Sequence, residues 1–268
     1  MAELKDSGNR REFESGAVRD MQEGKGRMDL IPWGVALKIR GEMYDLFYTI
    51  HPGYEVEDGK YKVVPAWGAL DPITEYANSM DRALNDYVRS DVQSMMTPKN
   101  TLRTIEDLFV KMAATFIMYQ QLVGDPAWGL NECGFDGFPI NDEYMIEKLL
   151  NCEWSNAMLQ VAKHYEDGAH KYAENNWRKG MKPNIYFDSA MRHFVKWLYG
   201  MTDEPHDRAF VWNCMCGAWE ARQEYVELVR EDAKVSCNPQ EGAGCSCDPQ
   251  PTAWRAEDLY NAYGNHPV

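Results

Sequence analysis

From Met158 to Leu228 the chain carries three successive apolar stripes, each spaced by threes and fours. The first is Met158, Ala162, Tyr165, Ala169 and Tyr172. The second is Phe187, Met191, Phe194 and Leu198, and the third Val211, Cys214, Ala218, Ala221, Tyr225 and Leu228. That spacing lines apolar side chains along one face of an α-helix. Asn175 and Gly180 end the first helix and Pro183 forbids its continuation; Gly200 ends the second, and Pro205 sets the first turn of a last helix over 205–234. Connections this short make helices antiparallel neighbours, so the stretch has to fold as a helical bundle.

The rest of the chain agrees. Pro32 opens a helix to about Tyr48, and at most a short strand or hairpin at Tyr61–Val64 follows. Ile73, Tyr76, Met80 and Leu84 keep helical spacing over 72–96, and Thr101 or a neighbour caps a helix to Val123 that is nearly apolar all round after Phe109. Residues 1–15 read as frayed, 124–141 as a Gly/Pro/Trp loop and 142–150 as a short helix. No strand–helix alternation occurs, so the expected class is all-α. Residues 14–234 read as one helical domain. A Cys/Pro/Gly-rich tail, 235–268, follows.

The 42 acidic residues outnumber the 28 basic ones, a net charge of −14. Such a surface repels a phosphate backbone, so no nucleic-acid partner is expected. No apolar run approaches the roughly 20 residues of a membrane span, and the N-terminus lacks a signal-peptide core. No membrane partner and a cytoplasmic location are therefore expected. Cys133, Cys152, Cys214 and Cys216 fall in or beside helices and read as reduced thiols. Cys237, Cys245 and Cys247 in the tail would hold zinc only with a fourth ligand such as His266, and their spacing matches no paired CxxC pattern.

The chemistry concentrates in residues 163–213. His164, His170, His193 and His206 interleave there with Glu166, Asp188, Asp203, Glu204 and Asp207. Carboxylates and imidazoles repeated across consecutive helices can converge on a divalent metal, and Lys171, Asn176, Lys179 and Arg192 can donate to phosphate. Each has a plainer reading: Asp188/Arg192 and Glu166/His170 lie four apart, as ordinary helix-surface pairs do, and Asp203 can simply cap a helix. Glu166, one residue off the stripe at Tyr165, is expected to face a groove as a metal ligand, with His193, Asp203 and His206 gathered opposite. Near the N-terminus, Gly24 and Gly26 bracket Lys25 and precede Arg27 and Asp29. This segment lacks P-loop spacing, and it is expected to contact a triphosphate rather than the metal.

Taken in order, GAVRD with GKGRMDLIP, HYEDGAHKY with NNWRKG, DSAMRH, Asp203-Glu204 and His206-x6-Asn213 resemble the phage-type dATP/dGTP diphosphohydrolase N-terminal family. That family is related in function to the MazG-like all-α nucleoside triphosphate pyrophosphohydrolases. The motifs span about 14–38 and 155–220. The chain departs from the pattern by about 110 residues between the first two blocks, and by Ala209 where a second histidine is expected.

The resemblance implies a MazG-like helical core and metal-dependent hydrolysis of purine deoxynucleoside triphosphates to the monophosphate and pyrophosphate. In phages this removes dATP or supplies dGMP for a modified nucleotide pool. The ion would be Mg²⁺ or Mn²⁺. On this footing Glu166 and Asp203 are catalytic, and Glu166, Asp188, His193, Asp203, Glu204 and His206 are metal ligands. Lys25, Arg27, Asp29, Lys171, Asn176, Trp177, Lys179, Arg192 and Asn213 bind substrate.

Two alternatives stand beside this. One is an HD-type phosphohydrolase, against which the only adjacent His-Asp pair, His206-Asp207, comes last in order. The other is a non-catalytic helical nucleotide-binding or assembly protein. The apolar stretches 108–123 and 211–228 point to a homo-oligomer unless the insertion covers them.

Overall fold

The structure is a computed structural model that describes residues 10–12, 14–20, 23–50, 53–57, 60–64, 70–89, 97–123 and 143–236. Six α-helices occur among them: α1 (Trp33–Ile50), α2 (Leu70–Arg89), α3 (Pro98–Val123), α4 (Glu143–Lys171), α5 (Pro183–Leu198) and α6 (His206–Ser236). The strands are β1 (Arg10–Glu12), β2 (Val18–Asp20), β3 (Gly53–Glu57) and β4 (Lys60–Val64), paired as two small antiparallel sheets, β1–β2 and β3–β4. The fold is all-α, as expected. No helix among the described residues is long and apolar enough to cross a membrane.

The helix ends follow from local chemistry. Pro183 stands at the start of α5, where its missing N–H costs nothing. The last turn of α5 closes with Gly200 N–H donating to the Trp197 carbonyl and Met201 N–H to that of Lys196. This paired 5→2 and 6→1 arrangement satisfies the end carbonyls.

Four expectations need correction. Residues 143–171 form one helix, not a short helix followed by a second. That helix stops at Lys171, so Tyr172 drops off the buried stripe and is 62% exposed. Arg10–Glu12, read as frayed, pairs with Val18–Asp20. Cys152 is disulfide-bonded, whereas Cys214 and Cys216 are free and buried. The expected helix extension to 96, the loop at 124–141, Cys133 and the thiols of the tail lie outside the described residues.

One continuous core runs from Leu30 to Ala221 and takes in Ile39, Ile105, Phe116, Tyr165, Phe210 and Met215. α3 packs along α6, α2 along α3, and α5 along α6. The two central helices approach so closely that a Cβ on Gly217 would lie 2.5 Å from the Phe109 ring. The segment 41–151 therefore supplies α2 and α3 to the core itself. Leu108, Phe109, Met112 and Phe116, like Val211, Met215 and Ala218, are buried within the chain. Within the stretches 108–123 and 211–228, Met118, Tyr119, Tyr225 and Leu228 are only half-buried.

Candidate active site

α4, the turn after it, α5 and the start of α6 enclose a cavity of about 700 Å³. Part of its wall is aromatic. Tyr165 lies between Trp177 and Trp212, with ring centroids 5.5 and 5.8 Å away, and Tyr186 faces Trp212 at 6.4 Å. The Tyr186 hydroxyl donates to the Trp177 carbonyl at 3.1 Å, tying α5 to the 3₁₀ turn Asn176–Lys179. The chain reaches that turn through Ala173, at φ 144°, and Asn175, at φ 56°. Both residues line the cavity, and backbone strain of this kind concentrates at functional sites.

The α5–α6 connection brings two histidines together, of which His193 lines the cavity. Nδ1 of His193, on α5, lies 3.0 Å from Nδ1 of His206, the first residue of α6. Glu204 Oε1 stands 3.6 Å from the first nitrogen and 3.5 Å from the second. These three residues present ligand atoms within 4.8 Å of one another, and they are the trio among the described residues able to hold a metal ion. His206 is buried, His193 half-buried and Glu204 exposed.

Asp203 stands behind this group. Its Oδ1 accepts from His206 Nε2 at 2.7 Å and its Oδ2 from Lys196 Nζ at 3.1 Å. Those two bonds hold its carboxyl below the usual range. Asp203 thus orients a histidine rather than capping α6.

Lys171, Arg192 and Arg208 also line the cavity. Arg192 is paired with Asp188 at 2.8 Å and Arg208 with Asp167 at 2.7 Å, both carboxylates being exposed. Pairs of this kind exchange readily in water, so an incoming anion can take the cations over. Burial pulls the His164 imidazole, against Trp212, down to about 4, with Arg208 and His193 adding to the effect. This ring is neutral at pH 7.

Some expected site residues do not meet this arrangement. Glu166 turns away from the histidines: its Oε1 accepts from the Gly24 amide at 3.0 Å and its Oε2 from the Gly26 amide at 2.9 Å. Both oxygens are committed to the backbone, so it does not face His193 and His206 across a groove. Asp188 lines the cavity but forms the helix-surface pair with Arg192 rather than joining the trio. Lys179 is exposed and is not part of the cavity wall. Asn176, Trp177 and Asn213 do line it, although the Asn213 amide donates to the Ala209 carbonyl of its own helix at 2.8 Å.

The Gly24–Asp29 loop is docked on α4. Arg27 N–H donates to the Ala162 carbonyl at 2.9 Å, while its guanidinium holds Asp29 at 2.6 Å and Glu174 at 2.6 Å. Leu30, at the end of this segment, enters the cavity wall. Lys25 is exposed. The residues that pattern reading missed are the aromatic ones: Tyr165, which the first stripe presented only as core, and Tyr186 and Trp212, which stood in no stripe.

Residues 145–229 match the family described as dATP/dGTP diphosphohydrolase, N-terminal. The matched segment holds every wall of the cavity except Leu30. No curated protein matches the chain, and neither does any solved structure. The match to the dATP/dGTP diphosphohydrolase N-terminal family supports a hydrolase acting on a nucleotide.

Proposed function

We propose that the protein hydrolyses purine deoxynucleoside triphosphates, dATP or dGTP, to the monophosphate and pyrophosphate. The observation that carries this reading is what one cavity wall brings together. Aromatic rings able to face a base, His193 and Glu204 of the metal-capable trio, and exchangeable cations all line it. The donor set of His193, Glu204 and His206 fits a divalent ion. Such an ion, when bound, neutralises phosphate charge and lowers the pKa of a water.

The chain's own residues supply the rest. Tyr165, Trp177 and Trp212 offer ring faces to a purine. Arg192, Arg208 and Lys171 take up triphosphate oxygens as their carboxylate partners are displaced. The attacking water's oxygen bonds to the α-phosphorus while the bond to the α–β bridging oxygen breaks and pyrophosphate leaves. The contacts of Glu204 to the two histidines and to Lys196 all use Oε1, and we assign its other oxygen to take the water's proton. Catalysis of this kind is chiefly positioning and electrostatic stabilisation.

Incubation with dATP and a divalent ion should yield dAMP and pyrophosphate. Deoxyadenosine with triphosphate would support the HD-type alternative instead. Absence of turnover across all dNTPs would leave a binding protein.

A further inference from the structure

We infer that His193, Glu204 and His206 form a three-donor centre selective for a first-row transition ion of the Mn²⁺, Co²⁺ or Zn²⁺ class, and that Mg²⁺ is a poor occupant. The inference rests on the hydrolase reading only for the use made of the ion; the binding argument stands on geometry and donor chemistry.

Geometry comes first. His193 Nδ1, His206 Nδ1 and Glu204 Oε1 form a triangle with edges of 3.0, 3.6 and 3.5 Å. The circle through the three atoms (radius equal to the product of the edges over four times the area) has a radius of about 2.0 Å, matching first-row metal bonds to imidazole and carboxylate of roughly 2.0–2.2 Å. An ion placed just off that plane reaches all three donors with no side chain moved.

The orientation of His206 agrees with this. Asp203 lies 2.7 Å from His206 Nε2, which leaves Nδ1 as the ring nitrogen turned toward His193 Nδ1 and Glu204 Oε1. A carboxylate behind a histidine, fixing the ring and raising its basicity, is the usual outer support of a metal ligand. Without an ion, one proton shared between the two Nδ1 atoms accounts for their 3.0 Å separation. An ion would replace that proton.

Donor chemistry then selects the class. Mg²⁺ demands oxygen ligands in near-ideal octahedral geometry and gives up its waters reluctantly. Two imidazoles with one carboxylate instead suit the first-row transition ions and zinc. Charge is also suitable: Asp203 and Glu204 against Lys196 leave one net negative charge, which offsets the positive end of α6 beside His206.

The test uses the full chain, stripped with a chelator and free of nucleotide, titrated with Co²⁺ alone. A ligand-field absorption band should saturate at one ion per chain, Mn²⁺ and Zn²⁺ should displace it, and Mg²⁺ should fail to do so even in large molar excess. Asp203→Ala should weaken Co²⁺ binding roughly 10- to 100-fold, and His193→Ala and Glu204→Gln at least as much. Both of the latter sit at partly exposed positions where folding is expected to survive; Asp81→Asn, at an exposed position of α2, serves as the unchanged control. Displacement by equimolar Mg²⁺, absence of saturable binding, or wild-type affinity in folded His193→Ala would each overturn the inference. Saturable Co²⁺ binding without dNTP hydrolysis sinks the hydrolase reading alone; Mg²⁺-supported hydrolysis without that binding sinks this inference alone.

Discussion

His164 shows how one side chain in the cavity wall ties the site to stability. An unfolded chain takes up the imidazole proton near 6.5, whereas burial against Trp212 delays this in the folded chain until about 4. Between those values the unfolded state binds more protons, so stability falls as pH drops from 6.5 towards 4. At 1.36 kcal/mol per unit the full effect is on the order of 3 kcal/mol. His164→Phe keeps a ring against Trp212 and removes the titration. Its melting temperature should therefore fall less than the wild type's between pH 7 and pH 4.5. Equal slopes would show that His164 does not titrate as argued. The sequence shows such a residue only as one histidine beside a stripe. Position on a helix face is legible from spacing, but the partner across the face is not, and for Glu166 the partner decides the role. A carboxylate one step from Tyr165 reads equally well as a metal ligand or as an acceptor for the Gly24 and Gly26 amides.

At the scale of elements, the long helices were legible because apolar periodicity and Gly/Pro punctuation agree from Trp154 onward. β1 and β2 were not: three-residue strands of Arg, Glu, Val and Asp carry no period to read. The docking of the 24–30 loop was likewise hidden, since it depends on Gly26 lying at φ +82° where a Cβ would come within 2.9 Å of Ala162. Glu166 then acts as a latch. Glu166→Gln leaves one amide without its acceptor, a loss of about 1–3 kcal/mol for a buried donor, and Gly26→Ala should disturb the loop further. Both variants should melt lower and bind nucleotide more weakly while their Co²⁺ titration stays as in the wild type. Loss of Co²⁺ binding in Glu166→Gln with unchanged melting would return Glu166 to the ligand set.

Across the whole molecule, the sequence marked α3 as central, because it is apolar on nearly every side, but not its partner. That pairing joins residues about a hundred positions apart, and no local pattern encodes it. Glu106 of α3 shows how the pairing is held. It is 2% exposed, forms an ion pair with Lys38 of α1, and has Arg222 of α6 at 3.8 Å. Three elements thus meet on one buried carboxylate. Glu106→Ala removes the buried charge and leaves Lys38 and Arg222 partly exposed to water, so the loss is that of the charged contacts. By denaturant unfolding it should be about 1.5–3 kcal/mol. Arg222 lies sixteen residues along α6 from His206, roughly 24 Å at 1.5 Å per residue. The loss should therefore appear in stability and leave Co²⁺ affinity at the His193–Glu204–His206 centre unchanged, provided the titration is run well below the variant's melting temperature. Weakened ion binding in a fully folded Glu106→Ala sample would mean that α6 shifts as a rigid rod, and that the core sets the position of His206 from a distance.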